Sequence, residues 1–473
     1  MVKSYYLIGI GGTGMASLAL MLKQKGYEVT GSDKNVYPPV SDILSDNNIK
    51  FYNSYNHQNL IDSSPNVIVI GNSVSRGNPE VEHILNNNLT YTSMPELIKT
   101  EFIHDRRSIV ITGTHGKTTT TSLTTQIFDD AGKKPGFMIG GQPGNFKESG
   151  RISEGDAFII EGDEYDTCFY DKRSKFFHYA PFHLVINNIE FDHGDIFMNL
   201  EEIIRSFSYL QRLVPQQGTI LANGDDDNVR SIINHDYCRV ITFGKNKDND
   251  AVIKNIRKGG QSMETQFTLS WESKDYDFQI PLIGEFNVRN AVAAILLAFL
   301  DNISKESIDQ ALAKFISPRK RLRRITKNQS VILFEDFAHH PTAIQSTLSA
   351  LKESFPESRI LAAYEPRSNT SIRNFHQEKM PEAFSNADRV YIYRLHRGDT
   401  INTNDRLDIN AIIEELNNKD IPANRFDQLS EIKQQILDET IPGDIVAIMS
   451  QGDFDGLAVS LSESLDAKFQ TDH

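Results

Sequence analysis

Cysteine is scarce in this 473-residue chain, with Cys168 and Cys238 its only two. Two thiols cannot build a disulfide framework or a cysteine-only zinc site, and they fit a reducing, cytoplasmic compartment. Long apolar runs are missing too. The longest, residues 291–300, has about half of the roughly 20 residues that a membrane span needs. The N-terminus passes from Met-Val-Lys-Ser into a strand-like Tyr-Tyr-Leu-Ile-Gly-Ile. That segment is too short for a signal-peptide core and no small-residue cleavage site follows, so no secretory leader is expected. Positive charge is in deficit, with 49 Lys and Arg against 63 Asp and Glu and a net charge of −14. So acidic a chain binds polyanions poorly, which argues against nucleic acid as the main partner. Internal repeats and low-complexity tracts are absent as well.

What is present is an alternation of β-branched apolar runs with helix-like stretches, the pattern of an α/β protein with parallel sheets. The length predicts about three domains. Strand–glycine–helix punctuation occurs at Gly9-Ile10-Gly11-Gly12-Thr13-Gly14 and again at Gly113-Thr114-His115-Gly116-Lys117-Thr118. Between them the charged stretch 101–107 reads as a linker, which places a boundary near residue 103. A third shift falls at Ser317-Pro318-Arg319-Lys320-Arg321, after a helix-rich segment and before the strand-like run 331–336. The last third, with further strands expected near 358–363, 389–393 and 444–449, reads as a small doubly wound domain.

The second glycine loop carries the strongest local signal. Glycines let backbone N–H groups approach phosphate oxygens, a helix N-terminus adds a favourable dipole, Lys117 neutralises outer phosphates and Thr118 offers a hydroxyl to Mg²⁺. The spacing is shorter than the standard phosphate loop, because Ile111 stands where the first glycine belongs. The first loop is weaker alone. With Asp33 about 20 residues on, it reads as a dinucleotide turn and thus an NAD-dependent dehydrogenase, or as a tight turn with a capping Asp. Glu161-Gly162-Asp163-Glu164-Tyr165-Asp166 and Asn187-Asn188-Ile189-Glu190-Phe191-Asp192-His193 each end an apolar strand, where carboxylates and a histidine can share a cation with Thr118. Asn287 and Asn290 stand three apart on a helix face, where they could read adenine or cap the helix. Asp336-Phe337-Ala338-His339-His340-Pro341-Thr342 has two adjacent histidines, but such neighbours point apart and do not by themselves make a zinc site. Arg367, Ser368 and Asn369 offer a guanidinium and polar groups suited to a substrate carboxylate.

Taken in order, the loop 113–120, the strand end 188–193, the segment 287–291 and the segment 336–342 resemble the Mur ligase family over essentially the whole chain. The resemblance implies an α/β protein of three domains. These are a Rossmann-like UDP-sugar domain (1–103), a central P-loop ATPase domain with a mostly parallel sheet (104–318), and a Rossmann-like C-terminal peptide domain (319–473). Two branches of the family act on UDP-N-acetylmuramate, one adding L-alanine and the other the tripeptide L-Ala-γ-D-Glu-meso-diaminopimelate during peptidoglycan recycling. Residues 140–146, 163–166 with 169–179, 191–193 and 365–370 are similar to the recycling branch. There are departures. The first loop is closer to the alanine-adding branch, Phe286 stands where a histidine is usual, and the segment 451–456 differs from the plainer glycine-rich one expected. No lysine occurs in 207–214, where other branches place a carbamylated one.

By that resemblance, Lys117, Glu161 and His193 are catalytic, and Thr118, Glu161 and His193 hold Mg²⁺. ATP is bound by Gly113, Thr114, His115, Gly116, Lys117, Thr118, Thr119, Asn287, Asn290, Arg321 and Asp336. The UDP-sugar lies on Gly9, Ile10, Gly11, Gly12, Thr13, Gly14, Asp33 and Ser73, and the peptide on Arg367, Ser368 and Asn369. The implied reaction activates the sugar's lactyl carboxylate as an acyl phosphate, which the peptide amine then attacks. The implied partners are UDP-N-acetylmuramate and a murein tripeptide, with no nucleic acid, no membrane insertion, and a monomer or weak homodimer. An L-alanine ligase, a dehydrogenase and a nucleotide-sensing binding protein of ligase descent are the alternatives.

Overall fold

The computed structural model describes residues 2–38, 40–194, 196–258 and 263–469. Among them the strands form three sheets. The first is all parallel, in the order β3-β2-β1-β4-β5, from β1 (Ser4–Ile8), β2 (Glu28–Ser32), β3 (Lys50–Tyr52), β4 (Val67–Ile70) and β5 (Tyr91–Ser93). The second has ten strands: β6 (Arg107–Thr112), β7 (Gly136–Met138), β8 (Gly150–Arg151), β9 (Ala157–Gly162), β10 (His183–Ile186), β11 (Thr219–Asn223), β12 (Arg239–Gly244), β13 (Ala251–Lys258), β14 (Thr265–Trp271) and β15 (Lys274–Ile280). Their order is β15-β14-β13-β12-β11-β10-β6-β9-β7-β8, parallel from β13 to β7 with antiparallel hairpins at both edges. The third joins β16 (Arg323–Arg324), β17 (Ile332–Asp336), β18 (Ile360–Glu365), β19 (Arg389–Tyr393), β20 (Ala423–Phe426) and β21 (Ile445–Ser450) in the order β16-β17-β21-β18-β19-β20. The expected strands of the last third therefore form, within two residues at either end.

The parallel strands are buried on both faces, which is why they read as continuous apolar runs. In β6, Val110 packs into one core while Ile109 and Ile111 pack into the other, as a period of two requires. The first and central sheets share a core in which Leu18 and Met21 join Val110, Phe158 and Leu184. No helix of the described residues is long and apolar enough to cross a membrane.

The helix Lys117–Asp130 is buried along nearly its whole length, although it carries six threonines. The hydroxyls of Thr121, Thr124 and Thr125 donate to carbonyls four residues back, so these side chains are satisfied locally and the helix can pack against Glu285–Leu300.

The stretch 101–107, expected as a linker, is structured at both ends, with β6 starting at Arg107. Lys99–Ile103 forms a single π-helical turn, and Glu101 accepts hydrogen bonds from Lys3, Lys25, Tyr5 and Tyr27. Its carboxyl lies low, at about 2: burial opposes the charge, but two ammonium and two phenol donors outweigh it. Charges meant for water cannot be told from charges meant for one another along a linear chain.

Candidate active site

Register sets the site. β6 lies between β9 and β10, with Thr112 beside Gly162 on one side and Ile186 on the other. The residues following all three strands therefore emerge together at one sheet edge. The chain leaves β6 toward β7 and β9 in one direction and β10 in the other, which opens a crevice at that edge.

Gly116 sits at the N-cap of the helix Lys117–Asp130 in the left-handed region, φ +84°. A Cβ there would come within 2.3 Å of Asn290 Oδ1, so both dihedral and space call for glycine. The helix leaves its first N–H groups without intrahelical partners, the arrangement that receives phosphate oxygens. The loop before it is braced from β10: Asn188 accepts from the His115 N–H at 2.7 Å and donates to the His115 carbonyl, while Thr114 exchanges bonds with the Glu190 backbone. The backbone N–H groups of Thr114 and His115, expected on ATP, are thus engaged inside the protein.

Lys117 donates to Glu164 Oε2 at 2.8 Å and to the Gly113 carbonyl at 2.7 Å. His193 Nε2 lies 3.1 Å from the other oxygen of Glu164. Glu164, only 2% exposed, therefore joins two groups the sequence had singled out, and was itself left out of the site. The signal for it was its place among acids at a strand's carboxyl end. Burial opposes its charge, but Lys117 and His193 hold its carboxyl at about 2. Burial likewise disfavours the His193 imidazolium, but Glu164 and Asp192 raise it to about 9.

That shift has a measurable consequence. A histidine raised above its ordinary value of 6.5 contributes stability that is complete below that value and is lost as pH rises through about 9. The thermal midpoint of the nucleotide-free chain is expected to fall across that window, and His193→Gln should remove this component of the fall. An unchanged pH profile in the variant would separate His193 from the ion pair.

Glu161 forms the other half of the site. Its oxygens accept from the Gly140 N–H at 2.6 Å and the Thr118 hydroxyl at 3.0 Å. Thr118 in turn accepts from Arg321 Nη2 at 2.8 Å, which ties the third sheet to the phosphate loop. Burial, with Asp163 next, raises the Glu161 carboxyl to about 7. A buried carboxylate and a hydroxyl side by side are hard oxygen donors short of one positive charge, and they fit Mg²⁺. The three expected cation ligands are not gathered as one set: Thr118 and Glu161 are paired, whereas His193 is turned to Glu164.

The remaining expected residues divide. Arg321 also lies over Phe337, 4.7 Å from the ring centre, with Asp336 close by. Asp336 accepts from the N–H groups of Leu322 and Ala338, positioning the Arg321 turn. Asn287 and Asn290 belong to a chain of buried side chains, and each amide keeps hydrogen-bonding capacity beyond it. Asn187 donates to Thr120, Thr120 to Asn290, Asn290 to Asn287, and Asn287 to the Ile283 carbonyl, so this buried chain braces the phosphate loop from behind. Asn287 does not cap the helix, because Gly284 holds that place. Phe286 packs against the third-sheet core, away from any polar role.

At the first loop, Gly9 is left-handed (φ +85°) and Gly12 opens the helix Thr13–Gln24. Asp33 accepts from the Gly11 N–H at 3.0 Å and from Tyr55, which holds the turn in shape. Gly14 faces Met94 and Met138, and Ser73 is exposed beside Asn72, which bonds to Asp166 of the central unit. In the third sheet, Arg367 Nη1 lies 3.2 Å from buried Glu365, Ser368 bonds Ser371, and Asn369 is exposed. Thr370 accepts from the Gly194 N–H, so this loop lies against the His193 loop. The segment 140–146 holds the approach to the third sheet, with Asn145 bonded to Lys314 and Ile316 and Gln142 to Arg319.

Residues 4–104 match the family described as Mur ligase family, catalytic domain, 111–298 the Mur ligase middle domain, and 320–452 the Mur ligase, glutamate ligase domain. The chain is 36% identical over 470 residues to the UDP-N-acetylmuramate–L-alanyl-gamma-D-glutamyl-meso-2,6-diaminoheptandioate ligase of Escherichia coli K12, covering 98% of each. It is 35% identical over 469 residues to the protein of the same name from Haemophilus influenzae, covering 99% of this chain and 100% of that one. Among solved structures, a murein peptide ligase from Psychrobacter arcticus matches with a TM-score of 0.72 at 30% identity, over 98% of each chain.

Proposed function

The chain belongs to the Mur ligase family, and from that premise we propose how its site performs an ATP-dependent ligation. The enzyme is a carbon–nitrogen ligase that joins UDP-N-acetylmuramate to L-Ala-γ-D-Glu-meso-diaminopimelate in peptidoglycan recycling. The observation that carries the mechanism is the Lys117–Glu164 pair beside the Thr118–Glu161 pair, just beyond β6 and at the carboxyl end of β9, with Arg321 reaching onto Thr118 from beside the third sheet.

A carboxylate is a poor electrophile, so the lactyl carboxylate attacks the γ-phosphorus of ATP and ADP departs. The resulting acyl phosphate is then attacked by the L-alanine amine, and phosphate leaves as the amide forms. Two anions must be brought together in the first step, so positioning and charge neutralisation dominate. Lys117 exchanges part of its bond to Glu164 for the outer phosphates, and Glu164 with His193 keeps its ammonium aimed. Arg321 adds positive charge on closure and orients the Thr118 hydroxyl. Thr118 and Glu161 would hold Mg²⁺, which when bound offsets charge on the phosphate oxygens. We place the UDP-sugar on the first glycine loop within residues 1–103, ATP within 104–318, and the peptide on the Arg367 loop within 319–473. Closing these units together keeps water from the acyl phosphate.

The test is phosphate release with ATP, Mg²⁺ and UDP-N-acetylmuramate, adding either the tripeptide or L-alanine. Release that depends on the tripeptide is expected. Release with L-alanine alone would overturn the assignment and make this the first enzyme of peptide-stem synthesis.

A further inference from the structure

A second cluster of side chains lies where the central and third sheets meet; His115 belongs to the phosphate loop, but its imidazole and the other two side chains have no part in the ligation described above. His115 follows β6, Glu190 follows β10, and His340 follows β17. Their donor atoms all lie within 4.8 Å of one another. Sequence spacing alone could not reveal this, because the partners of His340 come from the other sheet.

The hydrogen bonding leaves lone pairs facing one another. His340 Nε2 lies 3.2 Å from the Phe191 carbonyl, an acceptor only, so that nitrogen carries the ring proton. Nδ1 is then unprotonated and receives only a long contact, 3.3 Å, from the Thr342 N–H. This same Nδ1 faces Glu190 Oε2 at 3.4 Å. Burial, with His115 next, lowers the basicity of His340 and keeps it neutral. His115 Nε2 lies 3.7 Å from the same Glu190 oxygen, is buried, and has no hydrogen-bond partner among the described residues. Thr342 Oγ1 donates to Glu190 Oε2 at 2.7 Å, which fixes the carboxylate.

The spacing suits a metal. Ligands about 2.0–2.1 Å from a tetrahedral Zn²⁺ are separated by roughly 3.3 Å. The two separations from Glu190, 3.4 and 3.7 Å, are already close to that edge. Two imidazoles and one carboxylate select a borderline d-block cation such as Zn²⁺ over Mg²⁺, and leave a fourth position open.

We propose that His115, Glu190 and His340 form a Zn²⁺-class site, separate from the Thr118–Glu161 pair, that clasps the third sheet to the phosphate-loop strand. Because His340 travels with the third sheet, the site is complete only when the two sheets are together. It stabilises that arrangement by its binding free energy.

The experiment uses the full chain in excess Mg²⁺, titrated with Co²⁺ as a spectroscopic stand-in for Zn²⁺. About one equivalent should bind with the intense visible absorption of a four-coordinate site, Zn²⁺ should displace it, and Zn²⁺ should raise the thermal midpoint. His340→Ala should weaken binding by about tenfold or more, and His115→Asn, at a partly exposed side chain, should do the same without disturbing the core. Glu161→Gln should leave the absorption in place. No absorption, or absorption that survives both histidine substitutions, would overturn the proposal.

Discussion

Lys117→Ala is expected to lower turnover by about three orders of magnitude while leaving affinity for UDP-N-acetylmuramate within about twofold. Lys117 is the cation of the phosphate loop, and among the described residues no other ammonium shares its two contacts, to Gly113 and Glu164. Burial opposes its charge, but Glu164 and Asp163 raise its pKa, so the group stays positive throughout the working range. The first glycine loop lies on a different sheet, and UDP-sugar affinity should not register the change. The substitution has a second effect that must be separated from the first. It leaves Glu164 buried with His193 as its remaining ion-pair partner among the described residues, and breaking a buried pair costs about 3–5 kcal/mol. The double variant Lys117→Ala with Glu164→Gln should therefore regain thermal stability without regaining turnover. Phosphate release and isothermal titration of the UDP-sugar measure the two quantities. Turnover close to that of the parent chain would remove Lys117 from the chemistry.

Glu161→Gln should reduce turnover by about 10²- to 10³-fold and raise the Mg²⁺ needed for half-maximal rate by about tenfold or more. The change is nearly isosteric, so the effect comes from charge and from donor–acceptor matching. Both carboxylate oxygens of Glu161 accept, one from the Gly140 N–H and one from the Thr118 hydroxyl. A carboxamide offers one oxygen and places an NH₂ against the other donor. The anion that would hold the cation is also lost. A Mg²⁺ titration of the rate, set beside the melting curve, separates the two readings. A shifted melting curve with an unshifted Mg²⁺ requirement would make Glu161 a brace for the Gly140 turn and nothing more.

Much of this molecule is legible in the amino-acid order. The parallel strands are apolar on both faces and short, so runs such as 109–111 and 184–186 mark themselves, and left-handed glycines such as Gly9 and Gly116 mark the turns that follow. The phosphate loop is legible because its residues are contiguous: glycines, Lys117 and Thr118 act within one turn of helix. Four aspects were decided only in three dimensions. Glu164 became the partner of Lys117 and His193 because β6, β9 and β10 lie side by side in that register. Asn287 and Asn290 were drawn beneath the phosphate loop because the threonine helix packs against theirs and leaves a buried hydroxyl to be satisfied. Asp33 was paired with the Gly11 N–H. His340 found His115 and Glu190 across a sheet boundary. Local chemistry fixes which groups a strand end can offer, since backbone conformation and side-chain type are properties of neighbours in sequence. Which offered group meets which is set by the pairing of distant strands, and no short window of sequence contains both partners.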